Sequence, residues 1–256
     1  MHDDGAFLSW LERQELPRTP LYDCPYLPGR SARQYGFAAE TLPPELYHDL
    51  MDRGYRRSGQ IFYAMDCPDC RRCVPLRVAT DTFRPSRSQR RVLRRNRDVT
   101  VRFGVPEFTS ASFELYRRYL HAQHPGTPQS DEEHEFRASF YDRVVDTLEA
   151  RYFVDARLVG VSLLDCSSRS WSSVYHFFDP DERHRSIGVH SVLVEIAEAA
   201  RRGVPHYYLG FWVEGAATMH YKADYRPHEL LVDGVWIRDG RRHDAAATDG
   251  SDNVPN

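Results

Sequence analysis

The hydrophobic period of this chain changes once, near residue 110, and that change narrows the folds open to it. Before it, residues 21–80 set turn formers (Pro25, Pro28, Gly29, Gly54, Gly59, Pro68, Pro75) around two strand-like runs. These runs are Gln60-Ile-Phe-Tyr-Ala-Met65 and Val74-Pro-Leu-Arg-Val78. Ser86 to Arg97 reads as a short basic helix, and Val99 to Phe103 alternates as a strand. After the change, Ser112–His121 and Glu132–Leu148 carry the apolar spacing of amphipathic helices. The Pro-Gly signal in Gln123-His-Pro-Gly-Thr-Pro128 predicts a loop between them. Three strands follow at Arg151–Ala156, Leu158–Leu164 and Trp171–Phe178. A helix is expected at Val189–Arg202, a strand at Tyr207–Trp212, and a strand pair at Glu229–Val232 and Val235–Ile237.

Helix, helix, three strands, helix, strand, strand is the order of an acetyltransferase-like (GNAT-like) mixed sheet of the α/β (α+β) class. The expected layout is a small cysteine-bearing N-terminal domain with the basic helix (residues 1–103), then an acetyltransferase-like catalytic domain (104–238). Residues 239–256 lack large apolar side chains except Val254 and are expected to be a disordered tail. A length of 256 residues suits one large or two modest domains. The 41% apolar and 28% charged content excludes a wholly disordered or fibrous chain. No run approaches the ~18 apolar residues of a membrane span. Met1-His-Asp-Asp-Gly5 lacks the basic-then-apolar pattern of a secretory signal. A cytoplasmic protein with no membrane partner is expected.

The formal net charge is −3, yet the charges are unevenly placed. Of 34 basic residues, 33 are arginine and one, Lys222, is lysine. Most of that excess reads as a coding bias tolerated at surface sites. The concentrated part is different: Arg84, Arg87, Arg90, Arg91, Arg94, Arg95 and Arg97 put seven arginines in fourteen residues with no acid before Asp98. Helical spacing gathers Arg87, Arg90, Arg91, Arg94 and Arg95 on one broad face, with Val92 and Leu93 inward and Ser86 or Ser88 as cap. Like charges at that spacing repel, so the face calls for a polyanion such as a nucleic-acid backbone.

Cys67-Pro-Asp-Cys70-Arg-Arg-Cys73 places three of the five cysteines within seven residues. Disulfides are a poor explanation in a cytosolic protein. Structural zinc usually takes two separated Cys-x-x-Cys knuckles. Three thiolates from one tight loop with a fourth from elsewhere is closer to a cubane iron–sulfur cluster, 4Fe–4S. Cys24, in Asp23-Cys-Pro-Tyr26, is the natural fourth ligand. Zinc, or no metal, remains open. Arg71 and Arg72 are expected to offset thiolate charge and lower the thiol pKa values.

Acetyltransferases of this sheet type bind a pyrophosphate on a Gln/Arg-x-x-Gly-x-Gly/Ala loop at a helix start. Here the loop reads Arg185-Ser-Ile-Gly188-Val-His190. Gly188 is present, but His190 stands where small size permits close approach. The same loop suits the 3′ end of an acylated nucleic acid. Downstream, Tyr207-Tyr208-Leu-Gly-Phe-Trp212 and Tyr221-Lys222 combine stacking surfaces, hydroxyl donors and one cation.

Together these residues resemble the aminoacyl-tRNA–protein transferases, in the bacterial leucyl-transferase branch of the arginyl-transferase-like family. The motifs that carry the resemblance are Cys24-Pro-Tyr-Leu-Pro-Gly29, Tyr55-Arg-Arg-Ser-Gly59, Cys67-x2-Cys70-x2-Cys73-Val-Pro75 and Phe83-Arg-Pro-Ser-Arg-Ser-Gln-Arg-Arg91. To these are added Asp179-Pro-Asp, Tyr207 to Trp212, Tyr221-Lys222-Ala223, and Arg226-Pro227. They span about residues 20–238. Ala216-Ala-Thr218 departs from a Cys-x-Lys-like stretch common in the family.

The resemblance implies an enzyme that moves leucine from leucyl-tRNA to the α-amine of proteins beginning with Asp or Glu, marking them for N-degron degradation. It implies catalytic roles for Lys222, Tyr221 and Tyr208. Substrate contacts would come from Arg84, Arg87, Arg90, Arg91, Arg94, Arg185, Gly188, Trp212 and Arg226, and cluster ligands from Cys24, Cys67, Cys70 and Cys73. Competing readings are an arginyl-tRNA–protein transferase, a coenzyme A-dependent N-acetyltransferase, and a non-enzymatic iron–sulfur RNA-binding regulator.

Overall fold

Alternating burial builds the centre of the molecule. Val74, Leu76 and Val78 are buried while Cys73, Pro75, Arg77 and Ala79 are half-buried, so one strand presents one face to a core. The computed structural model describes residues 4–123, 131–142 and 144–238. The chain runs α1 (Asp4–Leu11), β1 (Tyr22–Asp23), β2 (Ser31–Ala32), β3 (Gln34–Ala38), α2 (Pro44–Asp52), β4 (Arg56–Ser58) and β5 (Ile61–Met65). Strand β6 (Cys73–Ala79), α3 (Arg87–Arg95) and β7 (Val99–Gly104) lead to α4 (Ser110–Gln123) and α5 (Glu133–Phe140). Then come β8 (Thr147–Val154), β9 (Arg157–Cys166), β10 (Ser170–Phe178), α6 (Ile187–Arg201), β11 (His206–Val213), β12 (His228–Val232) and β13 (Val235–Arg238). Two 3-10 turns, Pro180–Arg185 and His220–Asp224, precede α6 and follow β11.

Eight strands form one mixed sheet in the order β13-β12-β6-β11-β10-β9-β8-β7. Its neighbours are antiparallel except β10 and β11, which are parallel and joined by the α6 crossover. This is the acetyltransferase-like mixed α/β arrangement expected from the element order. A three-stranded antiparallel sheet, β3-β5-β4, and a two-residue ladder, β1-β2, stand beside it. Helix α6 covers one face with Val192, Leu193, Ile196 and Ala199 against Trp171 and Tyr207. The other face is packed by the aromatic side of α4 and α5 (Tyr116, Phe136 against Phe177) and by α1 and α2 with the small sheet.

Three expectations change. Strands β6 and β7 lie before residue 104 yet are part of the large sheet, β6 between β11 and β12 and β7 at its edge. The sheet therefore draws on both sides of the expected 103/104 boundary, because Val74, Leu76 and Val78 complete the core under α6. The helix expected over Glu132–Leu148 ends at Phe140. Val144 and Val145 turn instead into the core around α1 and α2, where Leu42 N–H donates to the Val144 carbonyl at 2.8 Å, and Thr147 already starts β8. In α3 the buried residue is Gln89, with Leu93 packed at the core edge and Val92 half-exposed. His124–Pro128 of the expected loop and the whole expected tail, 239–256, lie outside the described residues.

Candidate active site

The parallel pair opens. Strands β10 and β11 are in register only at Ser170, Trp171 and Ser172 against His206, Tyr207 and Tyr208. Past that point both shift register against their outer neighbours, β10 between Ser173 and Tyr175 and β11 between Tyr208 and Gly210. Strands that part leave backbone groups in need of partners. Two carbonyls at the opening are met by cations: Arg56 Nη2 donates to the Ser173 oxygen at 3.0 Å, and Lys222 Nζ to the Phe211 oxygen at 3.1 Å. Gly210 lies between them with φ 85°, a conformation that disfavours other residues. A Cβ there would stand 3.4 Å from Lys222 Nζ and 3.5 Å from Arg56 Nη2.

These two cations are unusual. Arg56 is 8% exposed and Lys222 is half-buried. Among the described residues neither has a carboxylate within 4 Å; the other hydrogen bond of Arg56 goes to the Met51 sulfur at 3.9 Å. Burial, with the Arg56 charge beside it, pushes Lys222 down to about 7.

Beneath the opening lies a buried polar chain. Tyr152 donates its hydroxyl to Glu195 at 2.7 Å and Tyr207 donates to the other carboxylate oxygen. Burial raises the Glu195 pKa. Ser162 Oγ lies 2.8 Å from His176 Nδ1, and the His176 ring edge would meet a Cβ at Gly188 at 3.9 Å. Burial drives His176 to about 3 and His190 to about 4, so both imidazoles are neutral.

The basic helix docks on the lysine turn. Ser86 caps α3 in a capping box with Gln89, and the Gln89 amide reaches on to the Asp224 carbonyl at 3.2 Å. At its other end Arg95 donates to the His184 carbonyl at 2.6 Å and Asn96 to the Arg185 carbonyl at 2.8 Å. Arg84, Arg87, Arg90, Arg91, Arg94, Arg95 and Arg97 are all exposed. Among the described residues none of the seven pairs with a carboxylate; Arg84 and Arg90 turn back to carbonyls of Phe83 and Pro85 at 2.7 and 2.6 Å.

The other expected residues are placed as follows. Tyr221 is 44% exposed beside Lys222, and Arg226 is exposed with its Nε on the Ala223 carbonyl at 3.2 Å. Trp212 is half-buried near His220. Gly188 sits in the first turn of α6. Arg185 is held by Asp98 at 2.9 Å and Glu182 at 2.6 Å. Tyr208 is engaged elsewhere: buried against Trp236 and His48, it donates to Asp52 and accepts from Arg77 at 3.2 Å. Arg56 is not among the residues expected from the sequence. Its signal was the Tyr55-Arg-Arg-Ser-Gly59 run, where one arginine enters the site and the next, Arg57, pairs with Asp165.

The four thiols gather around one loop. Cys67, Cys70 and Cys73 line a cavity of about 370 Å³ with Phe211 and Met65, and Cys24 lies close enough to repel a Cys73 thiolate. Burial and the other thiols push Cys73 up to about 12, opposite to the expected lowering. The Arg71 guanidinium donates to the Cys67 and Cys70 carbonyls. Among the described residues no three His, Cys, Asp or Glu side chains are disposed as ligands of one metal ion.

The site is thus a parted strand pair with a cation at the opening, behind a crossover helix, with an arginine-rich helix docked on its lysine turn. Two family models match, described as "Arginine-tRNA-protein transferase, N terminus" over residues 22–91 and "C terminus" over residues 111–232. An aspartate/glutamate leucyltransferase of Pseudomonas savastanoi pv. phaseolicola is 37% identical over 231 residues, covering 89% of this chain and 97% of that protein. One from Pseudomonas syringae pv. syringae matches at the same identity and coverage. Among solved structures, a GCN5-related N-acetyltransferase from Sphaerobacter thermophilus is similar at TM-score 0.39 and 16% identity, covering 80% of this chain and 56% of that one. The chain belongs to the arginine-tRNA–protein transferase family and is an aminoacyltransferase that uses aminoacyl-tRNA. Among the described residues no helix is long and apolar enough to cross a membrane.

Proposed function

We propose that this enzyme transfers leucine from leucyl-tRNA to the N-terminal α-amine of proteins that begin with Asp or Glu, in the cytoplasm, as a step that marks them for N-degron degradation. The amine nitrogen attacks the ester carbonyl carbon; a C–N bond forms, the C–O bond to the terminal ribose breaks, and the amine proton ends on the ribose oxygen. The ester is already activated, so the work is positioning and charge stabilisation. The observation that carries this reading is the Gln89 bond to the Asp224 carbonyl, which sets the arginine face of α3 beside the Tyr221-Lys222 turn. A tRNA lying on those arginines has its acylated end directed to the parted strands. Leucine as donor and Asp or Glu as acceptor are supported by the names of the 37%-identical relatives.

Cys24, Cys67, Cys70 and Cys73 are proposed as ligands of an iron–sulfur cluster. Support comes from three thiols in seven residues and their shared cavity. A cluster there would be structural or redox-sensing.

The test is transfer of labelled leucine from leucyl-tRNA onto a Glu-initiated peptide beside a Leu-initiated one, with arginyl-tRNA in parallel. Transfer to the Glu peptide alone, from leucyl-tRNA, is expected. Absence of transfer under both anaerobic and aerobic conditions overturns the proposal.

A further inference from the structure

Burying a cation without a counter-charge is costly, and folded proteins do so where a ligand supplies the anion. Arg56 and Lys222 are such cations. They come from distant parts of the chain, β4 and the His220–Asp224 turn, and converge on the backbone at Gly210. Each spends one donor on a carbonyl of a parting strand, Ser173 or Phe211, which fixes its head without neutralising it. A Cβ at Gly210 would touch both heads, at 3.4 Å from Lys222 Nζ and 3.5 Å from Arg56 Nη2, so the missing side chain leaves the two cations facing one point of the backbone. What fits is a small planar anion able to touch both cations at once.

We infer that Arg56 and Lys222 together hold the side-chain carboxylate of the acceptor's first residue, which makes Arg56 a specificity-determining residue of the transfer. This rests on the transferase reading above and assigns the part of the site that recognises the acceptor. The rigid Arg56 fork sets the carboxylate plane, and the flexible Lys222 stem absorbs the one-methylene difference between Asp and Glu. Asn and Gln are rejected because a neutral amide leaves both cations uncompensated. The arrangement also helps the nucleophile: two cations near an α-amine lower its pKa from about 8, so more of it is the free base that attacks the ester.

The test compares peptides that differ only in Glu or Gln at the first position, using wild type, Arg56→Gln and Arg56→Lys. Calorimetric titration without tRNA should show the Glu peptide binding wild type at least ~10-fold tighter, a difference erased by Arg56→Gln and partly kept by Arg56→Lys. In the transfer assay Arg56→Gln should raise KM for the Glu peptide by roughly 10²-fold, with KM for leucyl-tRNA unchanged. Equal affinity of wild type for both peptides overturns the inference. So does a rise in KM for leucyl-tRNA with discrimination intact, which would give the cations to a phosphate. If Arg56→Gln fails to fold by circular dichroism, Lys222→Met read in the same way decides. Transfer by wild type with discrimination surviving in the variants sinks this inference alone. If wild type transfers to neither peptide, the transferase reading falls and the titration still decides this one.

Discussion

Arg57 and Asp165 form a two-armed ion pair, 2.7 Å on both arms, with side chains 5% and 0% exposed. The pair ties β4 to β9, and Thr147 Oγ1 adds a third bond to the same carboxylate at 3.0 Å. It clamps the small sheet on the large one and so fixes where Arg56, the preceding residue, enters the parted strands. Asp165→Ala leaves a buried guanidinium unpaired and should cost about 3–5 kcal/mol. Replacing both partners with apolar residues of similar volume should recover most of that loss. Urea unfolding checks both; a single-variant loss below about 1 kcal/mol would make the clamp dispensable.

Arg87, Arg91 and Arg94 have no partner among the described residues, so removing them spares the fold. The triple alanine variant should change stability by no more than about 0.5 kcal/mol per site. Its affinity for tRNA should fall and the slope of log K against log salt should flatten by about 2–3. Filter binding across a salt series measures this. An unchanged slope returns the helix to an ordinary solvated face.

Lys222 gives a pH signature with a definite sign. Its pKa falls from an ordinary 10.5 to about 7 on folding. Between those values the unfolded chain binds the extra proton, so stability rises with pH and the burden is full below about 7. Lys222→Met should therefore be more stable than wild type at pH 6, by on the order of 1 kcal/mol, with the gap closing by pH 10. Thermal unfolding across that range checks it. In the wild type, KM for a Glu-initiated peptide should rise as pH passes upward through the lysine pKa.

The cysteine loop makes a compositional prediction. Protein purified without oxygen should carry iron and acid-labile sulfide, and Cys70→Ala should lose both. Metal analysis finding neither iron nor zinc removes the cofactor. Transfer activity in the metal-free protein would assign the loop a purely structural part.

Much of the fold was legible along the chain. The parallel pair follows from a helix between β10 and β11, because a crossover returns the chain in the same direction. Helix α3 was readable to within two residues, since a serine cap opens the run; the structure picks Ser86 over Ser88 and adds the reciprocal bond from Gln89. The helix over Glu132–Leu148 misled because Val144 and Val145 continue its apolar period while packing elsewhere. Tyr208 read as a site residue for its Tyr/Trp-rich strand, yet a one-residue step along β11 sends its hydroxyl to Asp52. Nothing in the sequence made Gln89 stand out, yet its amide is the link to the Asp224 carbonyl.

By itself the sequence determined what is local: element order, the arginine density of residues 84–97, the thiol spacing, and the family motifs around Tyr221-Lys222. Each needs only neighbours within a few residues. Tertiary structure alone decided which charges meet. Arg56 and Lys222 stand far apart in the chain, and their convergence at Gly210 depends on the Arg57–Asp165 clamp, the β10–β11 opening and a glycine without a side chain. Charge pairing across such separations is set by how whole layers pack, and spacing along the chain does not encode it.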